Sequence, residues 1–262
     1  MNRATVKPAV TRPSLYARTV QNTEAWDRVA RREQDDGGPS TDSVSYGAAL
    51  PTEAELRLLG DVKGRRVLDL GCGTGQAAIA LARQGASVIA VDGSAEQLAV
   101  ARRRAARAEV RIEWHHADLA DLAFLRADSV DVAVSIDTLG ELDDLARLFR
   151  QTQRVLRPNA AFVFSHEHPL ALITAEDRPA PGTVPHPSGP VTVSRSLFDP
   201  SPITVERGGE PVTLYPRTLA EELTTLHRAG FRVDALIEPQ ATGDGRPILP
   251  AVVIWKAKKQ GA

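Results

Sequence analysis

The chain has 262 residues, of which 42% are hydrophobic, so it can build a packed core and is not a wholly disordered chain. Its formal net charge of −1 gives no overall attraction to nucleic acid or to an anionic membrane surface. The single cysteine, Cys72, excludes an internal disulfide and is typical of a reducing compartment, which predicts a cytoplasmic protein. No apolar run approaches the roughly 18 residues of a membrane-spanning helix.

The first residues form a basic segment that contains no acidic side chain, a composition also found in transit peptides. We interpret residues 1–22 as a flexible tail and residues 23–262 as a single domain. Two helices, predicted at 23–33 and 52–62, make residues 23–62 a helical N-terminal cap.

Strands and helices alternate regularly from residue 65 to residue 164. This alternation predicts a parallel sheet with helices on both faces, and ligands of such sheets bind beyond the carboxyl ends of the strands. The predicted strands cover 66–70, 87–91, 110–116, 129–135 and 161–165, and the predicted helices cover 75–84, 94–108 and 143–156.

The composition changes in residues 167–216, which hold ten of the 18 prolines. Two runs of alternating polarity, 191–198 and 203–215, predict strands, and the second predicts a hairpin that turns at Gly208 and Gly209. We interpret this segment as an insertion that forms a lid over a substrate site. A helix at 218–230 and two strands at 232–239 and 248–258 complete the predicted domain.

The stretch LDLGCGTGQ, residues 68–76, places three glycines at alternate positions between a predicted strand and a predicted helix. Glycines in such a loop allow a ligand to approach the backbone closely. Asp92 ends the next strand, where a carboxylate can accept hydrogen bonds from the two hydroxyls of a ribose. A nicotinamide dinucleotide and S-adenosylmethionine both satisfy this pattern.

Two further acids indicate which of these two ligands the chain binds. Asp69 precedes the first glycine, Asp118 follows the third strand, and Gln76 stands where the dinucleotide fingerprint has its third glycine. A carboxylate about 4 Å from a pyrophosphate is unfavourable by several kcal/mol. The acids therefore favour S-adenosylmethionine, which carries an ammonium and a sulfonium.

Successive motifs resemble those of class I S-adenosylmethionine-dependent methyltransferases: VLDLGCGTG, VIAVDGS, HHADLADL, RVLRPNAAFVFS and LYPRTLAEELTTLHRAGFRVDALIEP. The resemblance covers about residues 52–165 and 214–258. It is nearest to the small-molecule methyltransferases related to ubiquinone and menaquinone biosynthesis enzymes. It implies an α/β, Rossmann-like fold with a seven-stranded, mostly parallel sheet whose last strand is antiparallel.

The resemblance also implies which positions contact the cofactor. Asp69 and the glycines lie along its methionine part, Asp92 binds the ribose, Asp118 binds the adenine amino group, and the Ser135 carbonyl binds the ammonium. Trp26 and Tyr46 close over the methionine end, or else pack the N-terminal helices together. The complete set of implied cofactor contacts is Asp69, Gly71, Gly73, Gly75, Asp92, Gly93, Gln97, Ala117, Asp118, Leu119, Ser135 and Tyr46.

The sequence departs from this family where the acceptor should bind. Relatives often carry a histidine or an aromatic residue near position 140, whereas this chain has Asp137, Thr138 and Glu141, which we predict to face the acceptor. If the acceptor needs a base, His166 and His168 after the fifth motif strand are the candidates, with a structural role as the alternative. No metal site is predicted.

The sequence therefore predicts transfer of a methyl group to an O, N or C nucleophile of a small molecule. The predicted partners include neither nucleic acid nor membrane, and the predicted assembly is a monomer or a homodimer. Two alternatives remain at this point: a nicotinamide-dependent oxidoreductase and an S-adenosylmethionine-binding protein that does not methylate.

Overall fold

The computed structural model describes residues 15–32, 40–47, 49–174, 191–240 and 249–261, with side chains described from residue 22 onward. Residues 1–14 of the predicted tail lie outside this description. The first helix begins at Leu15, so residues 15–22 of the predicted tail are helical. None of the helices in the described ranges combines the length and the apolarity that a membrane span requires.

Seven helices and nine strands make up the described part of the chain. The helices are α1 (Leu15–Arg32), α2 (Glu53–Leu56), α3 (Gln76–Arg83), α4 (Ala95–Arg107), α5 (Leu145–Val155), α6 (Pro169–Ile173) and α7 (Leu219–Arg228), with a 3-10 turn at Leu139–Glu141. The strands are β1 (Arg66–Leu70), β2 (Ser87–Asp92), β3 (Glu113–His116), β4 (Val130–Ile136), β5 (Leu156–Glu167), β6 (Ile203–Arg207), β7 (Glu210–Leu214), β8 (Phe231–Ile237) and β9 (Val252–Lys259).

Seven strands form one sheet in the order β3-β2-β1-β4-β5-β9-β8. The pairs β2–β3, β1–β2, β1–β4 and β4–β5 are parallel, while β9 runs antiparallel to both β5 and β8. The predicted Rossmann-like sheet with an antiparallel last strand is therefore confirmed. The strand order reverses between β1 and β4, and a sheet of this type binds its ligand beyond the strand ends at that point.

Apolar side chains pack against both faces of the sheet. This is typical of a mostly parallel sheet, whose strands are buried on both sides. On one face, α5 buries Leu145, Leu148 and Phe149 at helical spacing. Phe162 and Phe231 pack around Phe149 with ring centroids 6.1 and 6.4 Å away. This core holds the carboxyl ends of β4 and β5 in fixed positions beside the cleft.

The chain upstream of the sheet differs from the predicted helix at 52–62. α2 ends at Leu56, and Arg57 takes the left-handed conformation with a φ of 52°. The Glu53 carboxylate accepts hydrogen bonds from the backbone N–H groups of Leu58 and Leu59, at 3.0 and 2.7 Å. The buried carboxylate thus replaces the helical backbone bonds that would have extended α2.

The insertion forms one of the two predicted strand regions. β6 and β7 form the predicted hairpin, and Gly208 and Gly209 adopt φ values of 54° and 78° in its turn. The strand predicted at 191–198 is wrong, because this run is not a strand and pairs with none of the described strands, and it leaves Val193 and Phe198 63% and 81% exposed. Residues 175–190 of the insertion lie outside the described residues.

Asn159 occupies the position where the methyltransferase pattern has a glycine. It takes the left-handed conformation with a φ of 63°, which asparagine adopts more readily than most residues with a side chain. The usual Pro-Gly-Gly of the methyltransferase pattern reads Pro158-Asn159-Ala160 in this chain, and β5 continues on both sides of Asn159, so this change leaves the fold intact.

Candidate functional site

The glycine loop joins β1 to α3 at the carboxyl edge of the sheet. Gly71, Gly73 and Gly75 all have positive φ values, of 72°, 52° and 86°. A Cβ atom on Gly71 would lie 2.3 Å from Cγ2 of Thr138, and one on Gly75 would lie 3.0 Å from Cβ of Ala101. Only glycine fits both the conformation and the space at these two positions.

Asp69 lies beneath this loop and is 1% exposed. Burial, together with the charge of Asp92, raises the pKa of Asp69 to about 7, although a hydrogen bond from the backbone of Ala78 opposes the shift. Its Oδ2 atom has no hydrogen-bond partner among the described residues. A buried carboxylate oxygen without a partner is costly, so this position favours a positively charged or hydrogen-bond-donating ligand.

Asp92 ends β2 and is tied to the same loop. Its two carboxylate oxygens accept hydrogen bonds from the backbone N–H groups of Gly73 and Ser94, both at 2.8 Å. Burial raises the pKa of Asp92, whereas these two hydrogen bonds oppose the increase. Gln97 lies nearby on α4, and its Oε1 atom is buried without a partner among the described residues.

Asp118 follows β3 and is exposed at the edge of the cleft. Its Oδ1 atom accepts a hydrogen bond from the N–H of Ala120 at 2.8 Å, and no hydrogen bond to Oδ2 is found among the described residues. Ala117 donates its N–H to the carbonyl of Asp92 at 3.1 Å, and His116 contacts the carbonyl of Gly93 at 2.8 Å. One backbone contact and one side-chain contact thus bring the ends of β2 and β3 together.

Ser135 and Thr138 connect the end of β4 to the glycine loop. The Ser135 hydroxyl donates to the carbonyl of Leu70 at 2.7 Å, and the Thr138 hydroxyl contacts the carbonyl of Gly71 at 3.2 Å. The predicted cofactor residues at the ends of β1, β2, β3 and β4 thus occupy one edge of the sheet.

Three acids extend the cleft beyond the glycine loop. Asp137 lies directly after β4, Glu141 ends the 3-10 turn, and Glu167 ends β5 and forms an ion pair with Arg207 of β6. Burial raises the pKa of Glu141 to about 8, while the hydrogen bond that Trp26 donates to Glu141 at 2.8 Å opposes the shift. Trp26 therefore reaches this cleft from α1.

Helix α1 connects the two sides of the cleft. On the cofactor side, the Asp27 carboxylate accepts a hydrogen bond from the Ser94 hydroxyl at 2.6 Å. On the insertion side, the Asn22 amide pairs with the backbone of Thr213 through bonds of 2.8 and 2.9 Å. Glu210 of β7 also forms ion pairs with two arginines of α1. The hairpin and α1 consequently form a single cover.

His166, a predicted base, is buried behind the acids. Its Nε2 atom lies 3.0 Å from Glu222 of α7, and its Nδ1 atom lies 2.9 Å from the carbonyl of Glu167. Burial lowers the pKa of His166, but the charge and hydrogen bond of Glu222 outweigh burial and raise it overall. Each ring nitrogen of His166 thus lies beside an acceptor, an arrangement that suits the protonated imidazolium. Because both N–H groups are then engaged, this geometry does not favour His166 as a base.

His168, the other predicted base, contacts groups outside the cleft. Its Nδ1 atom accepts a hydrogen bond from the N–H of Leu170 at 3.1 Å and caps α6, while Nε2 lies 2.9 Å from Glu238. Burial lowers the pKa of His168 against the opposing effect of Glu238. Both ring nitrogens are engaged, which favours the structural role that the sequence left open.

Tyr46 also lies apart from the cleft. It is 2% exposed and packs in the apolar cluster beneath α3, and its hydroxyl donates to Glu53 at 2.7 Å. This position favours the packing role that the sequence left open for Tyr46. Its partner Glu53 is itself bound to the turn after α2, so the whole group stabilises the N-terminal segment.

A small pocket continues from the acids toward the insertion. It is lined by residues from the 3-10 turn, the end of β5, α6 and α7 and the chain after β7, including His166, Glu167, Leu214, Tyr215, Arg217 and Glu222. The sequence did not identify Arg207, Arg217 or Glu222 as part of a site. No local motif marks them, because each reaches the cleft from an element distant in the chain.

The sheet order, the glycine loop and the acids at the ends of β1, β2 and β3 define the class I methyltransferase fold. A family model described as a methyltransferase domain matches residues 67–159, which extend from β1 into β5. This part of the chain therefore matches the methyltransferase-domain family, and the sheet that contains it has the fold of class I S-adenosylmethionine-dependent methyltransferases.

Individual relatives agree with this classification. The chain is 34% identical over 124 residues to ubiquinone biosynthesis O-methyltransferase of Hahella chejuensis, a match that covers 47% of each chain. It is 39% identical over 110 residues to demethylmenaquinone methyltransferase of Clavibacter sepedonicus, covering 42% of this chain and 44% of the relative. The chain spans about half the length of the curated relatives it matches.

Solved structures extend the similarity to most of the chain. An S-adenosylmethionine-dependent methyltransferase from Mesorhizobium loti superposes with a TM-score of 0.61 at 29% identity, over 78% of this chain and 94% of that one. A protein from Listeria monocytogenes assigned to the same class gives a TM-score of 0.62 at 26% identity, over 79% and 96%.

Proposed function

We propose that this protein transfers the methyl group of S-adenosylmethionine to a nucleophilic atom of a small molecule. The observation that carries the proposal is the buried Asp69 carboxylate, whose Oδ2 atom has no hydrogen-bond partner among the described residues and lies beneath the glycine loop. An ammonium group is a suitable partner for such an oxygen, and the pyrophosphate of a dinucleotide is not.

The described residues suit the different parts of the cofactor. Asp69 would hold the ammonium, and Asp92 would hold the ribose after its present bonds to the loop rearrange. Asp118 and the buried Gln97 Oε1 atom supply acceptors for adenine and ribose donors. S-adenosylmethionine supplies a methyl group already activated by the sulfonium, so the protein contributes chiefly position and the removal of any acceptor proton.

The acceptor would occupy the pocket between the 3-10 turn, the end of β5 and the cover made by α1 and the hairpin. Leu214 and Leu172 give this pocket an apolar side, whereas Glu167 and Arg217 give it a polar one. The polarity of this lining suits a small molecule with an apolar body and few polar groups. The names of the matched relatives, which include an O-methyltransferase, support a small-molecule acceptor. A monomer or homodimer that does not bind nucleic acid, located in the cytoplasm, remains our prediction.

A turnover assay tests this proposal. The purified protein is incubated with methyl-labelled S-adenosylmethionine and a panel of phenols, catechols and amines, and both S-adenosylhomocysteine and labelled product are quantified. We expect acceptor-dependent formation of the two products in equal amounts. Binding of S-adenosylmethionine without transfer to any acceptor, in this panel and in a broader metabolite extract, would instead support a non-methylating protein.

A further inference from the structure

Asp137 has an unusual backbone for a residue with a side chain. It follows β4 directly, with a φ of 52°, and its N–H donates to the carbonyl of Ser165 at 2.9 Å. Non-glycine residues rarely adopt this left-handed conformation, and where they do so at a cleft the strain often accompanies function. The chain uses aspartate at a position where glycine would be less strained.

The Asp137 carboxylate is exposed to the cleft yet surrounded by protein groups on several sides. No side-chain hydrogen bond to it is found within the described ranges. Glu167 and His166 face it from β5, Arg207 faces it from β6, and Glu141 faces it from the 3-10 turn. Although the residue is exposed to the cleft, the protein groups around its carboxyl displace water, and this desolvation, together with the charge of Glu167, raises the pKa of Asp137 to about 6, while Arg207 and His166 oppose the shift.

Asp137 also lies between the two halves of the site. Its neighbour Thr138 contacts the Gly71 carbonyl in the loop that we assign to the cofactor. Its other neighbours, His166 and Glu167, line the pocket that we assign to the acceptor. A carboxylate in this position can reach a group that approaches the methyl donor from the acceptor side.

The charges around the pocket favour a neutral acceptor over a cationic one. The groups of opposite sign balance, with three carboxylates, Asp137, Glu167 and Glu222, against three cations, Arg207, His166 and Arg217. Glu141, with a pKa of about 8, carries its proton at neutral pH and can donate a hydrogen bond to an oxygen atom. An ammonium acceptor would add an unbalanced charge beside the sulfonium.

We infer that Asp137 is the catalytic residue that accepts the proton of a hydroxyl group on the methyl acceptor, an inference that rests on the proposed function. The acceptor O–H bond breaks and its proton moves to the Asp137 carboxylate. The oxygen electron pair forms the bond to the methyl carbon, and the carbon–sulfur electron pair stays on sulfur, which becomes a neutral thioether. Asp137 then returns its proton to solvent through the open cleft.

Two variants test this assignment with phenol and catechol as hydroxyl probes and aniline as the amine probe. We expect Asp137→Asn to lower kcat on the hydroxyl probes about 10²–10³-fold. In the wild type, kcat should fall as the pH drops through about 6, and Asp137→Asn should remove this dependence. Asp137→Gly should lose activity equally while its Tm rises, because glycine adopts the observed backbone without strain.

Glu206→Gln, an exposed carboxylate variant on β6, is the matched control and should keep wild-type rates. Calorimetry with S-adenosylhomocysteine should show unchanged affinity in both Asp137 variants. The inference would be overturned if Asp137→Gly kept full activity or if Asp137→Asn left the pH profile of kcat unaltered. Transfer to aniline alone, or no transfer to either hydroxyl probe, would overturn it as well. Failure of the wild type to bind S-adenosylmethionine would instead refute the proposed function.

Discussion

Replacement of Asp69 by asparagine is expected to stabilise the free protein at pH 8 and to weaken cofactor binding. The Asp69 carboxyl has a pKa of about 7 in the folded protein because it is buried and lies near Asp92. The folded state therefore binds more protons than the unfolded state between about pH 4 and pH 7, so the free energy of unfolding falls as the pH rises through this window. Asparagine does not titrate, so it removes this loss of stability. We expect the free energy of unfolding of Asp69→Asn to exceed that of the wild type by about 1–3 kcal/mol at pH 8.

The same substitution should weaken the affinity for S-adenosylhomocysteine about 10–100-fold, because a charge-assisted hydrogen bond contributes about 1.5–3 kcal/mol. In the wild type, this affinity should rise between pH 6 and pH 8, since the ligand ammonium favours the ionised carboxylate. Denaturation at pH 5 and 8, with calorimetry at pH 6 and 8, measures both effects.

Asp131→Asn is the matched control, because Asp131 lies on β4 at the opposite edge of the sheet. Its carboxylate accepts a hydrogen bond from the N–H of Arg66, so this variant should be no more stable than the wild type and should bind the ligand normally. A destabilised Asp69→Asn protein that keeps wild-type affinity would contradict the assignment of Asp69 to the cofactor ammonium.

Replacement of Glu222 by glutamine is expected to destabilise the protein by about 3–5 kcal/mol at pH 6, because it leaves the buried His166 imidazolium without its counter-charge. The raised pKa of His166 means that the pair stabilises the fold fully below the unfolded pKa of about 6.5. That contribution is lost as the pH rises through the folded pKa, so the difference between variant and wild type should shrink toward pH 9.

The neighbouring pair of His168 and Glu238 provides the control. The side chain of Glu238 is 51% exposed, so Glu238→Gln should cost less than about 1 kcal/mol. Chemical denaturation at pH 6 and pH 9 compares the wild type with Glu222→Gln, Glu238→Gln and His166→Gln. Equal losses in the Glu222 and Glu238 variants would show that the buried pair does not carry the charge described above.

The elements that determine the class of this protein could be predicted from the sequence because their signals are local. The glycine spacing after β1 and the acid at the end of β2 require only the order of strand, loop and helix. The hairpin at Gly208 could be predicted for the same reason. A continuous run of apolar residues likewise predicts each buried strand of a parallel sheet, whatever its partner.

The roles of the histidines could not be predicted because they depend on distant partners. His166 contacts Glu222, which is 56 residues away, and His168 contacts Glu238, which is 70 residues away. Their position after the strand predicted at 161–165 suggested a base, but these acids occupy the Nε2 atoms and backbone groups occupy the Nδ1 atoms. The strand predicted at 191–198 failed similarly, since alternating polarity predicts a strand only where another strand can pair with it.

The central claim is that a positively charged nucleoside binds in the cleft lined by Asp69, Asp92 and Asp118. Calorimetry of S-adenosylmethionine and NAD+ against the wild type, Asp118→Ala and Asp121→Ala tests it most directly. Asp121 is a matched control, because the Oδ1 atom of each aspartate accepts a hydrogen bond from the backbone N–H two residues later in the chain. We predict that S-adenosylmethionine binds, that NAD+ does not, and that only Asp118→Ala weakens binding, by about tenfold. Tighter binding of NAD+, or equal affinities in all three proteins, would contradict the account.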